Sequence, residues 1–262
     1  MHPVLWSWGP VTLYTYGALL AIGVMAALQL AVWRAPRAGV PSDRIVDLGL
    51  VILIGGIIGA RAVYVAQHWP TYAEAPWEIL RLDHGGLVYY GGFFGGAVAA
   101  LLMIRRLRWP VWATLDLLVP SVALAQGIGR LGCFFNGCCY GISTTCLWGV
   151  RFPGEVVARH PTQLYEAAVL FILVGVLLWR ARRLCIPGTQ VAWYLIGYGA
   201  WRFAIEFLRG DNPPVLGIFT FSQVVSVPLV ILGAWLLWRR RAIAPSRYPA
   251  PNRAPVRPFG RP

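Results

Sequence analysis

The stretch Gly127-Ile-Gly-Arg-Leu-Gly-Cys-Phe-Phe-Asn-Gly-Cys-Cys-Tyr-Gly141 sets one arginine, Arg130, and three cysteines among glycines and aromatics, directly after an apolar run. A charge in hydrocarbon costs about 2.5 to 3.5 kcal/mol on insertion scales, so such a residue is kept to handle an ion, a proton or a headgroup. A guanidinium binds a phosphate through two parallel hydrogen bonds and stabilises charge that grows on it. The same charge lowers the pKa of a nearby thiol from its ordinary value of about 8.5 and so favours the nucleophilic thiolate.

A second ionisable cluster, Tyr198, Arg202, Glu206 and Arg209, recurs at four- and three-residue spacing, which predicts one shared helical face. Two readings stand. Arg202 and Glu206 form an ion pair that neutralises two buried charges, or Arg202 joins Arg130 in binding an anionic headgroup while Glu206 and Tyr198 orient them. Glu206 is a candidate for taking a thiol proton, although pairing with Arg202 would make it a weak base. A third segment, Arg159-His160-Pro161-Thr162-Gln163-Leu164-Tyr165-Glu166, carries helix-start chemistry, with Pro161 at the first turn and Glu166 early in the helix. His160 is either a general base or a helix-entry hydrogen-bonding residue.

Cys133, Cys138, Cys139 and Cys146 fall close together on what reads as an external loop. In an oxidising compartment one or two disulfides are the plainest reading. Zinc or an iron–sulfur cluster is the alternative, against which stands the lack of paired Cys-x2-Cys knuckles. A covalent relay through Cys138 or Cys139 is a further option. Cys185 reads as a free thiol near the cytoplasmic side.

The elements that must position these residues are membrane helices. With 58% hydrophobic residues and a mean hydropathy of +0.60, the chain of 262 residues exceeds what a water-soluble globule can bury. Apolar runs at about 11–33, 45–66, 85–104, 110–129, 161–179, 188–208 and 218–238 imply seven transmembrane helices. The expected fold is therefore an all-α integral membrane protein. The net charge of +13 is carried by arginine alone and clusters between spans, which is a topology signal and argues against nucleic acid as a partner. Arg34, Arg37 and Arg44, then Arg105, Arg106 and Arg108, then Arg180, Arg182 and Arg183, and finally Arg239 to Arg241 mark the cytoplasmic side. That puts the N-terminus outside and the C-terminus inside, with Glu74, Glu78, Asp83, the 130–160 segment, Arg209 and Asp211 external. The first span lacks a basic leader and reads as a retained anchor.

Residues 1–241 form one expected membrane domain, and 242–262 a Pro/Arg-rich tail that reads as disordered. Its Arg247, Arg253, Arg257 and Arg261 also suit anionic headgroups of the inner leaflet. Gly55 with Gly59, Gly91 with Gly95 and Gly92 with Gly96 predict close helix packing.

The chain resembles the prolipoprotein diacylglyceryl transferase family. The family signature Gly-Arg-x-Gly-Asn-Phe-x-Asn-x-Glu-x-x-Gly is met by Gly129, Arg130, Gly132, Phe134, Asn136 and Gly141, while Cys133 stands in place of Asn and Cys138 in place of Glu. The likeness continues through Tyr16-Gly17, Gly91-Gly92, His160 to Glu166, and Tyr198 to Asp211. It implies a seven-span enzyme of the bacterial plasma membrane that moves the diacylglyceryl group of phosphatidylglycerol onto the lipobox cysteine of a prolipoprotein signal peptide. The products are a thioether and glycerol-1-phosphate, and no cofactor is required. Arg130, Arg202, Glu206 and Tyr90 become candidate catalytic residues, with Tyr16, Asn136, Tyr198, Arg209 and His160 as substrate-binding candidates. Tyr90 replaces a family histidine; its phenol, with a pKa of about 10, is a poor base but donates a hydrogen bond, or it packs as an aromatic. The other reading is a paralogue that keeps the lipid pocket for binding, transport or thiol chemistry.

Overall fold

The computed structural model describes residues 2–9, 11–81, 85–182, 186–210 and 212–240. The tail from 242 to 262, Asp83, Arg183, Cys185, Asp211 and Arg241 lie outside the described residues. A hairpin of β1 (Val4–Trp8) and β2 (Val11–Tyr14) precedes the helices. The first apolar run, expected from 11, is thus a strand for its first four residues: Thr12 and Leu13 pair across to Ser7 and Trp6.

The helices are α1 (Thr15–Arg34), α2 (Ser42–Gln67), α3 (Trp69–Glu74), α4 (Tyr89–Arg106), α5 (Val111–Asn136), α6 (Thr162–Ala181), α7 (Thr189–Ile205) and α8 (Phe221–Arg240). The short α3 lies in a connection. Five segments, Thr15–Ala38 and the helices α2, α5, α6 and α8, are long and apolar enough to cross a membrane. α4 dilutes its apolar content with Tyr89, Tyr90, Arg105, Arg106 and four glycines, and α7 spans only 17 residues. The chain is a mostly helical, multi-pass membrane protein. Its side chains are distributed accordingly: Ile58, Leu102, Ile172 and Ile231 are exposed, whereas Gln163, Glu166, Gln190, Glu206 and Gln223 are buried. That reverses the soluble pattern and is what a lipid-facing exterior requires.

Glycines set the closest helix contact, as their spacing predicts. A Cβ on Gly59 would collide with the Gly91 carbonyl and approach the Gly95 Cα to 2.8 Å, and one on Gly96 would lie 3.2 Å from the Ile52 carbonyl. α2 and α4 can therefore meet backbone to backbone. Gly85 and Gly86 adopt φ of +74° and +76°, so α4 begins later than the apolar run suggested. The connection before it is held by Arg61, which is buried in α2. This guanidinium donates to the carbonyls of Glu78 (2.6 Å), Ile79 (2.9 Å), Arg81 (2.8 Å) and Gly85 (2.7 Å).

The arginine-rich helix ends gather at one end of the bundle. Arg34 of α1 donates to the Leu117 carbonyl of α5 at 2.5 Å, and Arg240 of α8 lies 4.8 Å over the Trp112 ring. Asp116 accepts from the backbone of Gly188 (2.7 Å) and Val191 (2.9 Å), capping the first turn of α7 with negative charge where the helix dipole favours it. Ala35, Ile45, Leu48, Ile104 and Leu117 form the apolar core there.

Candidate active site

Arg130 lies at the opposite end of α5, fourteen residues and about 21 Å from Asp116 at 1.5 Å per residue. Small residues make room around it. A Cβ on Gly132 would sit 3.2 Å from the Tyr16 ring of α1, and one on Gly127 would sit 2.8 Å from the Phe171 ring of α6. The helix continues through Asn136 and ends where Gly137 turns left-handed at φ +73°. The expected loop is thus half helix. Arg130 and Cys133 stand on α5, and only Cys138, Cys139 and Cys146 lie beyond it. Helix propagation overrides the glycines because α1 and α6 pack against this face.

Arg130 does not stand alone in hydrocarbon. Its Nη2 is 2.9 Å from Oε1 of Glu166 on α6, whose side chain is only 2% exposed. Tyr198 of α7 donates to the same oxygen at 3.2 Å. Near it on α7, Tyr194 donates to Gln126 Oε1 at 2.7 Å and stacks on Tyr198. One carboxylate therefore joins α5, α6 and α7 and fixes the guanidinium in place.

The second arginine is held in the same way. Arg202 Nη1 pairs with Glu206 Oε2, and its Nη2 donates to Ser222 Oγ at 2.7 Å. Glu206 Oε1 accepts from Asn212 Nδ2 (2.7 Å) and Thr220 Oγ1 (2.6 Å). The predicted ion pair forms, but the shared helical face stops short. α7 ends at Ile205, Glu206 opens a 3-10 turn, and Arg209 is extended, bridging to Gly141. Both Glu206 oxygens are engaged, which makes it an anchor for Arg202.

The segment after α5 folds back on itself. Gly141 donates to the His160 carbonyl (2.9 Å), His160 to the Ile142 carbonyl (3.1 Å), and Ile142 to the Leu208 carbonyl (2.8 Å). A Cβ on Gly141 would be 2.8 Å from Thr162 Cγ2, so glycine is required where these strands cross. His160 Nδ1 lies 3.2 Å from the Tyr165 hydroxyl, matching its helix-entry reading. Tyr140 stacks on buried Phe152 and donates to Glu155 Oε1 at 2.7 Å, and Arg159 pairs with Glu155 at 2.7 Å. The Tyr140 hydrogen bond, then Arg159, holds the Glu155 carboxyl below its ordinary range.

Cys133, Cys138 and Cys139 converge, with all three sulfurs within 4.8 Å of one another, while Cys146 is exposed and stands outside the group. The four-cysteine set reduces to three, and the thiols are free. Hydrogen bonds from Cys133 and Cys138 hold the Cys139 thiol well below its usual range. Thr162 and Gln163, at the start of α6, donate to the carbonyls of Cys139 (2.8 Å) and Cys138 (2.6 Å). These two, with Glu166, Asn212, Thr220 and Ser222, are site residues that the sequence reading passed over. The signal for Glu166 is a carboxylate inside an apolar helix, which helix-start chemistry accounts for equally well.

Of the remaining candidates, Tyr16 covers Gly132, Asn136 is exposed at the end of α5, and Tyr90 is exposed at the start of α4 with its ring edge-on to Phe221 of α8 at 5.5 Å. The structure thus joins Arg130 to Glu166 and Tyr198, and Arg202 to Glu206. It places Tyr90 in an aromatic contact between α4 and α8.

Comparison with known proteins shows which family the chain is similar to. Residues 3–239 match the family model described as prolipoprotein diacylglyceryl transferase. The chain is 39% identical over 241 residues to a phosphatidylglycerol–prolipoprotein diacylglyceryl transferase of Clostridium tetani, covering 90% of this chain and 96% of that protein. A second such protein from Clostridium perfringens is 34% identical over 231 residues, covering 86% and 90%. One from Synechococcus elongatus is 36% identical over 259 residues, covering 92% and 89%.

Proposed function

The chain belongs to the prolipoprotein diacylglyceryl transferase family, and on that premise we propose that it transfers the diacylglyceryl group of phosphatidylglycerol to the cysteine thiol of a prolipoprotein, forming a thioether and releasing glycerol-1-phosphate. The observation that carries the reading is a pair of arginines, each gripped by a buried carboxylate and set near the same end of the bundle, with Tyr198 donating to the carboxylate of the first pair. Such preorganised cations suit a phosphodiester whose leaving group gains negative charge.

The reaction needs little else. The thiol gives up its proton to water at the external face, and the thiolate sulfur attacks the glyceryl CH2 that carries the phosphate. The C–O bond breaks, and the electron pair leaves with the glycerol phosphate. Arg130 and Arg202 take the phosphate oxygens. Glu166 and Glu206 hold the two guanidiniums at fixed positions instead of serving as bases. Tyr198 and Arg209 flank the headgroup, Tyr16 and Asn136 border it from α1 and the α5 terminus, and His160 braces the loop above. Tyr90 contributes packing at the α4–α8 contact or a hydrogen bond to an ester oxygen.

In this reading residues 1–241 cross the bacterial plasma membrane seven times, with the N-terminus outside and 242–262 as a cytoplasmic tail. Support comes from the arginine-rich helix ends gathered at the far end from Arg130. The site then lies in the external half, where the lipobox cysteine of a signal peptide emerges among membrane lipids. The test supplies phosphatidylglycerol and a lipobox peptide to the purified protein and weighs the peptide cysteine. Gain of a diacylglyceryl group supports the reading; an unchanged mass under both reducing and oxidising conditions overturns it in favour of a lipid-binding paralogue.

A further inference from the structure

We propose that Cys133, Cys138 and Cys139 form a three-thiolate zinc site with an open fourth position, and that the acceptor cysteine of the substrate is the fourth ligand. The second half rests on the transferase reading above; the first does not.

The geometry is that of a built site. Zinc–sulfur bonds of about 2.3 Å in a tetrahedron separate sulfurs by about 3.8 Å, and the three sulfurs here lie within 4.8 Å of one another. Neighbouring side chains in extended chain point to opposite sides. Cys139 instead adopts φ +65°, which few residues without special cause accept, and this turns the adjacent Cys138 and Cys139 toward one point with Cys133 of α5. Both carbonyls of the vicinal pair are fastened by α6, through Thr162 and Gln163. The other end of the Gln163 amide, Oε1, is buried and has no hydrogen-bond partner among the described residues. An orphaned acceptor at the cluster is a place for a donor that is not part of the chain, such as a metal-bound water.

Charge and count select the function. Three thiolates on a divalent cation leave one net negative charge, and two arginines flank the cluster: Arg130 precedes Cys133 by three residues on α5, and Arg209 bridges to Gly141, two residues past Cys139. Structural zinc sites close with four protein ligands, whereas catalytic ones keep three and leave one position for water or substrate. Cys146, the only other described cysteine, is exposed and outside the group. A thiol entering the fourth position loses its proton to solvent, because a coordinating thiol is deprotonated outright. Its sulfur then attacks the glyceryl carbon, the C–O electron pair departs with the glycerol phosphate held by the arginines, and the thioether, a weaker ligand, leaves the metal.

The experiment uses the full chain in detergent, reduced and stripped of metal, titrated with Co2+ and then displaced with Zn2+. One equivalent should bind with sulfur-to-cobalt charge-transfer absorption. That absorption should vanish in Cys133→Ser, Cys138→Ser and Cys139→Ser and persist in Cys146→Ser. X-ray absorption of the zinc-loaded wild-type protein, which needs no variant, should count three sulfurs, rising to four with a lipobox peptide and staying at three with its Cys→Ser counterpart. Absence of stoichiometric metal, or native protein two hydrogens light and metal-free from a disulfide, overturns the site. A sulfur count that stays at three with saturating peptide overturns the substrate-ligand step. Because no phospholipid is present, the metal readout is independent of turnover: an inactive protein with a three-sulfur site refutes the transferase reading alone, and an active metal-free one refutes only this inference.

Discussion

Glu166→Gln removes the carboxylate charge under Arg130 while keeping its shape and an oxygen for the Tyr198 hydroxyl. The Arg130 contact is 2.9 Å long, and the Glu166 side chain is 2% exposed against 23% for Arg130. A hydrogen bond to a charged partner contributes about 1.5–3 kcal/mol. If that energy is what positions Arg130 on the phosphate, then at about 1.4 kcal/mol per tenfold the variant should lose about 10- to 150-fold in kcat/KM. Glu166→Ala should also lower stability, by about 3 kcal/mol, at the low end for a broken buried pair because the arginine is partly solvated. The assay is thioether formation on a lipobox peptide across phosphatidylglycerol concentrations, with thermal unfolding in the same detergent. Glu166 acts through Arg130, so Arg130→Ala with Glu166→Ala together should be no slower than Arg130→Ala alone, within about threefold. A Glu166→Gln enzyme at wild-type rate, or fully additive losses in the double variant, refutes the reasoning.

The remaining predictions use other parts of the fold. Gly59→Val drives a branched side chain into the Gly91 carbonyl and Gly95 backbone of α4; overpacking of this kind costs about 1–3 kcal/mol, read as a lower unfolding temperature. Asn212→Ala and Thr220→Val each remove one donor from Glu206 Oε1 and should slow transfer about tenfold with little change in KM, a split that steady-state kinetics resolves. The Glu155 carboxyl is depressed, so its contribution to loop order is complete above its ordinary 4.5 and falls away as pH drops through the lower folded value. Hydrogen-exchange protection factors of residues 142–159, with the intrinsic rate corrected for pH, should therefore fall on acidification in the native chain, with a weaker pH dependence in Tyr140→Phe. Arg61→Lys replaces a guanidinium that serves five carbonyls of the connection leading to α4 with one ammonium, and proteolysis between 76 and 86 should become faster.

Much of this architecture is legible in the sequence because membrane helices carry long-period signals. The glycine pairs foretold close helix packing, which the structure realises between α2 and α4, and the four-residue spacing of Arg202 and Glu206 carried the ion pair as one of its two readings. What escaped is contact between helices distant in sequence. Arg130 finds its counterion on α6, a partner that no spacing rule can supply, and Glu166 was read as helix-start chemistry. The end of α7 also escaped, because Glu206 is drawn into a tight turn by Asn212 and Thr220 and carries Arg209 off the predicted face. The cysteines divide for a local reason: helix α5 runs on to Asn136, and the left-handed backbone at Cys139 brings three thiols together and leaves Cys146 outside. The connection held by Arg61 was invisible because backbone carbonyls, which every residue has, are its ligands.

The most direct test of the two-arginine site is the mass of a lipobox peptide cysteine after incubation with phosphatidylglycerol and the wild-type, Arg130→Ala or Arg202→Ala protein. The account predicts a diacylglyceryl thioether with one glycerol phosphate released per peptide for the wild type, and for either variant no mass gain within the time the wild type takes to reach completion, only a residual rate on long incubation, although each still folds. A wild-type protein that leaves the cysteine unmodified, or an Arg130→Ala protein that modifies it at full rate, would contradict it.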